Sequence, residues 1–293
     1  MNSVVIPTVS VLMTAYNREK YIAEAIESVI ASTYQDWELI IVDDCSTDKT
    51  VEIARAYESK DARIKVYVNE KNLGQFPNRN KAAALATGKY LKYLDSDDII
   101  YPHGLEVMVE AMEKFPDAGF ALQDIKTQEN IPYPVFWNKS YALREHFFKK
   151  PFLLSGPSGV IFRKEAFEKV NGFNDNNYVG SDTEILLKLV LIYDIVIFQP
   201  ALIWWREHDE QEFRRGVDSN EYILHEDEIL KSILTDSLCP LSEKEKKIIF
   251  RRNRNLQIKR FIRLVSEFKL CIAAKLLKKI INIKAKIVLL QVV

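Results

Sequence analysis

The sequence predicts an α/β protein with a mostly parallel, twisted sheet that is flanked by helices, followed by a C-terminal helical appendage. The first observation is that short apolar runs alternate with helical patterns through the first half of the chain. The second is that acidic residues directly follow two of these runs, at the position where open α/β sheets bind ligands. The third is that the C-terminal part becomes basic and amphipathic.

Strand-like and helix-like segments come in strict alternation at the start of the chain. The predicted strands are Thr8–Met13, Trp37–Val42, Ile64–Val68 and Tyr90–Leu94. The predicted helices between them are Glu19–Ala31, Lys49–Tyr57 and Pro77–Ala86. Because parallel strands need crossover connections, this order predicts parallel pairing.

The middle of the chain has weaker periodicity. Four prolines between Lys126 and Pro157 predict loops around a short helix near Tyr141–Phe148. The other predicted helices are Leu105–Phe115, Lys164–Val170 and Asp182–Leu191, and the other predicted strands are Gly119–Leu122, Gly159–Phe162, Ile195–Phe198 and Leu202–Trp205.

A domain boundary is predicted near residue 215. Residues 1–215 form the main domain, with halves at about 1–100 and 101–215, and residues 216–293 form a basic helical region. Asn220–Leu234 is helical in pattern, and Ser242–Val293 reads as one or two long amphipathic helices. From Lys244 to Lys286 there are 15 Lys or Arg against two Glu. Such helices either lie on an anionic membrane or pack on the main domain or on a second subunit, as in a homodimer.

Composition restricts the class of protein. The 41 basic and 41 acidic side chains cancel, which argues against a nucleic-acid partner. Three widely separated cysteines favour neither a disulfide framework nor a zinc site and are typical of a reducing compartment. The N-terminus lacks the basic start of a signal peptide, and no apolar stretch reaches about 18 residues. We therefore expect a cytoplasmic protein.

The strongest local motif is Asp95-Ser96-Asp97-Asp98, directly after an apolar run. Three carboxylates at a strand end repel one another, and a bound divalent cation would relieve that repulsion. Hard oxygen ligands suit Mg²⁺ or Mn²⁺, and the remaining coordination positions suit a diphosphate. The alternative is an acidic turn that caps a helix.

Two further motifs follow predicted strands. Asp43 and Asp44 end the second strand, where Asp44 is able to accept hydrogen bonds from a base or a ribose. After the third strand, Gly74 permits an unusual turn and Pro77 suits the first turn of a helix. Arg79 would then lie near the helix start, within reach of a phosphate or base edge. The alternatives are a polar turn and a solvent-exposed arginine.

The ordered set of motifs resembles the large family-two glycosyltransferases over roughly Val9–Gln211. The motifs are Thr14-Ala15-Tyr16-Asn17, Val42-Asp43-Asp44-Cys45-Ser46-Thr47-Asp48, Asn72-Leu73-Gly74 with Arg79-Asn80, and Leu94-Asp95-Ser96-Asp97-Asp98. The resemblance implies the GT-A fold of nucleotide-diphospho-sugar transferases. It also implies transfer of a sugar, with inversion, from a nucleotide-sugar donor to an acceptor hydroxyl. UDP is the nucleotide that it favours, and the acceptor would be a glycan or lipid-linked sugar in cell-surface polysaccharide or glycolipid synthesis.

The resemblance also assigns roles to residues. The nucleotide-binding positions are Thr14, Tyr16, Asn17, Asp43, Asp44, Arg79, Asp95 and Arg206. The metal ligands for Mn²⁺ or Mg²⁺ are Asp95, Asp97 and His208, and the acceptor-binding positions are Gly156, Ser158 and Trp205. Cys45 stands where the family commonly has glycine, and a positive φ there would penalise a side chain.

Asp182 is the candidate catalytic base. Gly180-Ser181-Asp182-Thr183-Glu184 resembles the family's acidic motif before a helix, and an inverting transfer needs a carboxylate to take the acceptor's proton. Ser181 replaces the usual acidic neighbour. Asp182 as a simple helix cap is the alternative, and Glu184 is a competing base.

The last motif is Trp205-Arg206-Glu207-His208, which resembles the family's Arg-x-His segment. Arg206 would neutralise the departing diphosphate, and His208 would complete the metal site or else lie exposed in a turn. Trp204 and Trp205 are core residues or an acceptor wall.

Two other functions stay open. A sugar-phosphate nucleotidyltransferase also uses Mg²⁺ and a nucleotide crevice, but it commonly has a Gly-rich loop after the first strand, which is missing here. A non-catalytic nucleotide-sugar-binding protein is the alternative outside the enzymes.

Overall fold

The computed structural model describes residues 7–123, 132–176, 180–208, 222–278 and 280. The chain divides into two compact units, which are described separately. The first unit comprises Met1–Asn177 and Ser181–Glu207, and the second comprises Tyr178–Gly180 and His208–Val293. The predicted boundary near residue 215 falls outside the described residues and stays a prediction.

The first unit contains ten strands and seven helices in its described part. The strands are β1 Val9–Ala15, β2 Trp37–Asp43, β3 Ile64–Val68, β4 Tyr90–Tyr93, β5 Ile99–Ile100, β6 Ala118–Gln123, β7 Val135–Trp137, β8 Val160–Arg163, β9 Asp194–Phe198 and β10 Ile203–Trp204. The helices are α1 Ile22–Ile30, α2 Thr50–Glu58, α3 Gln75–Leu85, α4 Gly104–Lys114, α5 Lys139–Arg144, α6 Lys164–Lys169 and α7 Ser181–Ile192.

Eight of these strands form one sheet in the order β3-β2-β1-β4-β8-β6-β9-β7. The pairs β3–β2, β2–β1, β1–β4 and β6–β9 are parallel, whereas β8 runs antiparallel to both β4 and β6. The predicted α/β class with a mostly parallel sheet is confirmed. Parallel pairing brings the C-terminal ends of β1, β2 and β4 to one edge of the sheet.

The core of this unit lies between the sheet and its helices. Helix α1 shows how the sequence produces this packing, because Ile22, Ala25, Ile26 and Val29 recur at helical spacing and are all buried. Strand β1 is buried along almost its whole length, as expected for a central parallel strand covered on both faces.

Two short strands were not predicted. Strand β5 has only two residues and pairs with β10, and β7 has three residues and pairs antiparallel with β9. Strand β7 lies in the stretch that was predicted as loops around a short helix. A two- or three-residue strand carries too little alternation to be read from sequence, and its partner alone defines it.

The second unit is helical in its described part, with α8 Tyr222–Thr235, α9 Glu243–Ser266 and a further helical stretch at 270–278. The Ser242 side chain and Glu245 form a capping box at the start of α9. Leu224, Leu264, Ala273 and Leu276 form a small core. Among the described residues, no helix is both long and apolar enough to cross a membrane.

Candidate active site

The candidate site is built on the edge where β1, β2 and β4 end. The amide of Asp44 donates to the carbonyl of Ala15 at 2.8 Å, and the amide of Leu94 donates to that of Leu12 at 3.0 Å. These backbone bonds extend the parallel pairing as far as the two acidic motifs. The motifs that lie far apart in sequence therefore start from neighbouring strand ends.

The turns after β1 and β2 are bonded to each other. The Ser46 hydroxyl accepts from the Asn17 amide at 2.8 Å, and Asn17 Oδ1 accepts from the Thr47 amide at 2.9 Å. Asp43 is buried, and its carboxylate accepts from both the amide and the hydroxyl of Ser46. Two of the predicted nucleotide-binding residues, Asn17 and Asp43, thus hold the turns in place.

Thr14 and Tyr16 flank this pair of turns on the β1 side. Thr14 is half-buried and Tyr16 is exposed, so the Tyr16 ring is accessible to a ligand. The structure therefore offers one predicted base-pocket residue, Tyr16, at the surface. Asn17 has a positive φ of 52°, which asparagine tolerates better than most residues.

Cys45 adopts a left-handed backbone conformation with a φ of 68°. The sequence analysis predicted that a positive φ at this position, where the family commonly has glycine, would be energetically unfavourable for a residue with a side chain. A non-glycine residue in this region costs about 1–2 kcal/mol. The turn between Asp44 and Ser46 is therefore strained in this chain.

Asp44 anchors the loop that leads into α3. Its buried carboxylate accepts from the Asn69 side chain at 2.7 Å and from the amides of Leu73 and Gly74 at 2.8 and 2.9 Å. Gly74 has a φ of 92°, which explains the glycine before this helix. Charge-assisted bonds to backbone amides fix the entry to α3, and with it the position of Arg79.

Arg79 connects α3 to the acidic motif after β4. Its side chain is buried, and Nη2 donates to Asp95 Oδ1 at 2.7 Å. Nε and Nη1 are buried and have no hydrogen-bond partner among the described residues. Unpaired buried donors are costly, so this guanidinium is suited to an acceptor that arrives with a ligand.

Asp182 lies within electrostatic reach of the same group. Burial raises the pKa of Asp182, a hydrogen bond from the Thr183 amide and the positive charge of Arg79 lower it, and the carboxylate of Asp95 raises it. The fold thus places Asp182 within electrostatic reach of Arg79 and Asp95, which precede it by 103 and 87 positions in the sequence.

Two arginines surround Asp97. Arg18 Nε donates to Asp97 Oδ2 at 3.1 Å, and Arg206 Nε donates to the Asp97 carbonyl at 2.9 Å. The Arg206 guanidinium also pairs with Glu24 and lies over the rings of Tyr21 and Trp204, at 5.1 and 4.7 Å from their centres. Positive charge is therefore concentrated beside the predicted metal ligand.

The donor chemistry at this edge fits a hard divalent cation. Asp95 and Asp97 present carboxylate oxygens, which Mg²⁺ and Mn²⁺ prefer. Within the described residues, no group of three or more His, Cys, Asp or Glu side chains is arranged to hold a metal by itself. An ion bound by one or two carboxylates would therefore depend on oxygens from a ligand.

Asp98, the third acid of the motif, points into the protein. Its Oδ1 accepts from the Arg206 amide at 3.3 Å, and Oδ2 is buried without a hydrogen-bond partner among the described residues. Burial, followed by the carboxylate of Asp95, raises the pKa of Asp98 to about 7. Burial thus makes the ionised form of Asp98 less stable than that of an exposed aspartate.

The start of α7 distinguishes Asp182 from its acidic neighbour Glu184. Ser181 is fully buried, and its hydroxyl accepts from the Asn174 amide at 2.9 Å. Glu184 is buried, and its Oε1 forms an ion pair with Lys188 Nζ at 2.7 Å. Its Oε2 accepts a hydrogen bond from the Asn174 side chain. Glu184 is thus engaged in the structure of the helix, whereas Asp182 interacts electrostatically with Arg79 and Asp95.

The predicted acceptor residues lie in two places in the first unit. The Ser158 hydroxyl accepts from the Asp95 amide at 3.0 Å, so this residue adjoins the acidic motif. Gly156 has open space around it, because an added methyl group would meet no atom within 4 Å. Trp205 is 58 % exposed and Trp204 is 44 % exposed, so the core alternative is wrong for both and the acceptor role of Trp205 stays a prediction.

His208 belongs to the second unit, and its predicted role at the metal stays a prediction. Arg18 and Lys92 are residues of the site that the sequence reasoning missed. Arg18 directly follows the Tyr16-Asn17 pair, so its place after β1 was a usable signal. Lys92 lies inside an apolar run, where no feature of the sequence indicated a role at the site.

Comparison with known proteins agrees with this geometry. Residues 10–170 match the model of glycosyl transferase family 2. Glycosyltransferase GlyG of Streptococcus pneumoniae is 35% identical over 207 residues, which cover 65% of this chain and 67% of that protein. TuaG of Bacillus subtilis, named for teichuronic acid biosynthesis, is 40% identical over 131 residues, covering 44% of this chain and 52% of its own length. The chain thus spans about half the length of TuaG.

Solved structures share the fold. S. aureus TarS in complex with UDP-GlcNAc has a TM-score of 0.62 and 24% identity, covering 84% of this chain and 71% of that one. A Pyrobaculum calidifontis mannosyltransferase in complex with GDP-Man and Mn²⁺ has a TM-score of 0.63 and 17% identity, covering 99% and 82%. The architecture and the edge of the sheet define a GT-A fold protein. The chain belongs to glycosyl transferase family 2.

Proposed function

We propose that this protein is an inverting glycosyltransferase that transfers a sugar from a nucleotide-diphospho-sugar to an acceptor hydroxyl. The observation that carries the proposal is the ion pair of the buried Arg79 with Asp95 after β4, with Asp182 within electrostatic reach of both groups. Together they supply a partly unpaired guanidinium for an anionic ligand and a carboxylate suited to accept a proton.

The donor is a UDP-sugar in this proposal. Support comes from S. aureus TarS, whose structures hold UDP and UDP-GlcNAc in the same fold. Tyr16 and Asp44 would contact the base and ribose, and Arg79 and Arg206 would contact the diphosphate. The naming of TuaG for teichuronic acid biosynthesis supports a cell-surface glycan or its lipid-linked precursor as acceptor.

Asp97, with Asp95, would hold Mn²⁺ or Mg²⁺. When bound, the ion supplies Lewis-acid stabilisation of the charge on the leaving nucleoside diphosphate. The Mn²⁺ of the Pyrobaculum mannosyltransferase supports this assignment. Arg18 pairs with Asp97, so its positive charge would lie beside the bound ion, where it suits a phosphate.

Asp182 would act as the base. The acceptor oxygen forms a bond to the anomeric carbon, the bond from that carbon to the diphosphate breaks, and the acceptor's proton moves to the Asp182 carboxylate. Burial raises the pKa of Asp182, which makes it a better proton acceptor once ionised. Attack opposite the leaving group inverts the anomeric configuration.

The test separates the three candidate functions. A transferase releases UDP from a UDP-sugar with Mn²⁺ when alkyl glycosides are offered as acceptors. A nucleotidyltransferase instead releases pyrophosphate from UTP and a sugar 1-phosphate. A binding protein shows a UDP-sugar-dependent rise in Tm without either reaction. Release of the donor's nucleoside diphosphate that depends on both acceptor and Mn²⁺ supports the proposed transfer. If no UDP-, dTDP- or GDP-sugar releases its nucleoside diphosphate in this way, the proposal is overturned.

We also propose that the second unit binds an anionic membrane, which suits a lipid-linked acceptor. On α9, the buried residues Ile249, Asn253, Gln257 and Leu264 mark one face. Ile258, Ile262 and Val265 follow at helical spacing on another face, where Ile262 is 61 % exposed. Nine Lys or Arg against two Glu within α9 give this helix the charge that attracts acidic lipids.

Co-sedimentation with vesicles tests the membrane contact. The full chain should bind vesicles of phosphatidylglycerol and phosphatidylcholine, and not pure phosphatidylcholine. Ile262→Glu should weaken binding about tenfold or more, because it removes apolar area and adds a repelled charge. Leu238→Glu, an equally exposed residue of the second unit outside α9, is the control. A dimer in light scattering that Ile262→Glu dissociates would assign the face to a second copy and overturn the proposal.

A further inference from the structure

Lys92 is a fully buried lysine in the middle of β4, three residues before the acidic motif. A buried ammonium is disfavoured, and burial lowers the pKa of Lys92 to about 7 against the opposing effect of Asp95 and Asp98. An apolar side chain of similar length would be easier to bury at this position. Lys92 must therefore be understood through the contacts that its amino group makes.

The amino group of Lys92 donates to two backbone carbonyls. One is that of Tyr93 at 2.8 Å, within the same strand, and the other is that of Ser158 in the turn before β8. Ser158 is bonded from a second direction, because its hydroxyl accepts from the Asp95 amide at 3.0 Å. The turn is thus tied to β4 both by Lys92 and by Asp95.

The strand register explains why this tie is needed. β4 and β8 pair antiparallel, with Lys92 opposite Ile161 as the last pair of the ladder. In the same register, Asp95, three residues after Lys92, lies opposite Ser158, three residues before Ile161. The β4–β8 backbone pairing no longer extends to this position. The side chains of Lys92 and Ser158 replace the missing ladder bonds and continue the alignment of the two segments up to the acidic motif.

We propose that Lys92 is a positioning residue that holds the turn 156–158 against Asp95 and so sets where an acceptor meets the donor. The proposal rests on the proposed transferase function and on the acceptor role of Gly156 and Ser158. Lys92 touches neither substrate. It acts through the Ser158 carbonyl.

The variant Lys92→Met tests this role in the full chain, with Leu91→Met on the same strand as control. Methionine keeps the apolar stem and removes the ammonium, so Tm should rise or stay equal. Amide hydrogen exchange at Asp95 and Gly159 should nevertheless accelerate about tenfold, because the turn loses its hold. UDP affinity with Mn²⁺, measured by calorimetry, should stay within about twofold.

With alkyl glycosides as acceptors, Lys92→Met should raise the acceptor KM and leave the UDP-sugar KM unchanged. The proposal is overturned if amide exchange at Asp95 and Gly159 is unchanged in Lys92→Met. It is also overturned if Tm falls and exchange accelerates throughout the sheet, because Lys92 would then serve the general stability of the fold. If the wild type transfers no sugar, the proposed function fails, while the exchange measurement still decides the role of Lys92.

Discussion

Replacing Asp182 by asparagine is the sharpest test of the proposed base. Asparagine has the same shape and keeps an oxygen that accepts from the Thr183 amide, at 2.8 Å in the structure. It cannot take a proton from an acceptor hydroxyl. General-base catalysis contributes about 10²–10⁴-fold, which at about 1.36 kcal/mol per tenfold is about 3–5 kcal/mol of transition-state stabilisation. We expect the turnover number to fall by this factor.

Binding and folding should survive this substitution. Asp182 is repelled by Asp95, so neutralising it should leave the donor KM equal or lower. Burial raises the pKa of Asp182, so the folded state disfavours its ionised form at neutral pH. The Tm of Asp182→Asn at pH 7 should therefore equal or exceed that of the wild type, which separates lost chemistry from lost structure.

The pH profile adds a second readout. The base works only when ionised, so activity should fall as the pH drops through the raised pKa, at a pH above the ordinary range of aspartate. Glu184→Gln is the matched control, because Glu184 pairs with Lys188 and should not titrate in the rate. The rate of UDP release is measured in a coupled assay. The assignment of Asp182 as the base is refuted if the rate of Asp182→Asn stays within about threefold of the wild-type rate, or if Glu184→Gln loses more activity than Asp182→Asn.

Two other substitutions give clear expectations. Asp97→Ala should abolish the Mn²⁺-dependent part of UDP binding in calorimetry, and unchanged binding with Mn²⁺ would exclude Asp97 as a ligand. Cys45→Gly should stabilise the protein, because it relieves about 1–2 kcal/mol of left-handed backbone strain. The greater conformational freedom of glycine in the unfolded chain opposes this gain by about 0.5–1 kcal/mol. The net gain of about 0.5–1 kcal/mol corresponds to a Tm higher by about 1–3 °C. Cys45→Ala keeps the strain and should show no such rise; an equal rise would contradict this account.

The elements that the sequence predicted well are those with long, regular patterns. The predicted bounds of β1, β2, α1 and α4 lie within a few residues of those in the structure. The short helix predicted near Tyr141–Phe148 is present, but its π-helical end at Glu145–Lys149 and the two-residue β5 were not predicted. Short or irregular elements take their form from tertiary neighbours and leave little trace in local periodicity.

For the site, the sequence indicated residue types and their place at strand ends, and it left their partners open. Asp44 was expected to accept hydrogen bonds from a base or a ribose, and its carboxylate in addition holds the loop at Gly74. Arg79 had solvent exposure as an alternative, and the structure buries it beside Asp95. Both outcomes depend on which loops meet above the sheet, which local sequence does not encode.

The sequence by itself determined the alternation of strands and helices, the acidic motifs at strand ends and the basic character of the C-terminal region. These follow from side-chain periodicity and charge, which are local properties of the chain. Only the tertiary structure decided that Lys92 reaches Ser158, that Arg18 pairs with Asp97 and that Asp182 comes within electrostatic reach of Arg79. Such contacts join segments distant in sequence, and packing and desolvation in the folded chain select them from many possible pairs.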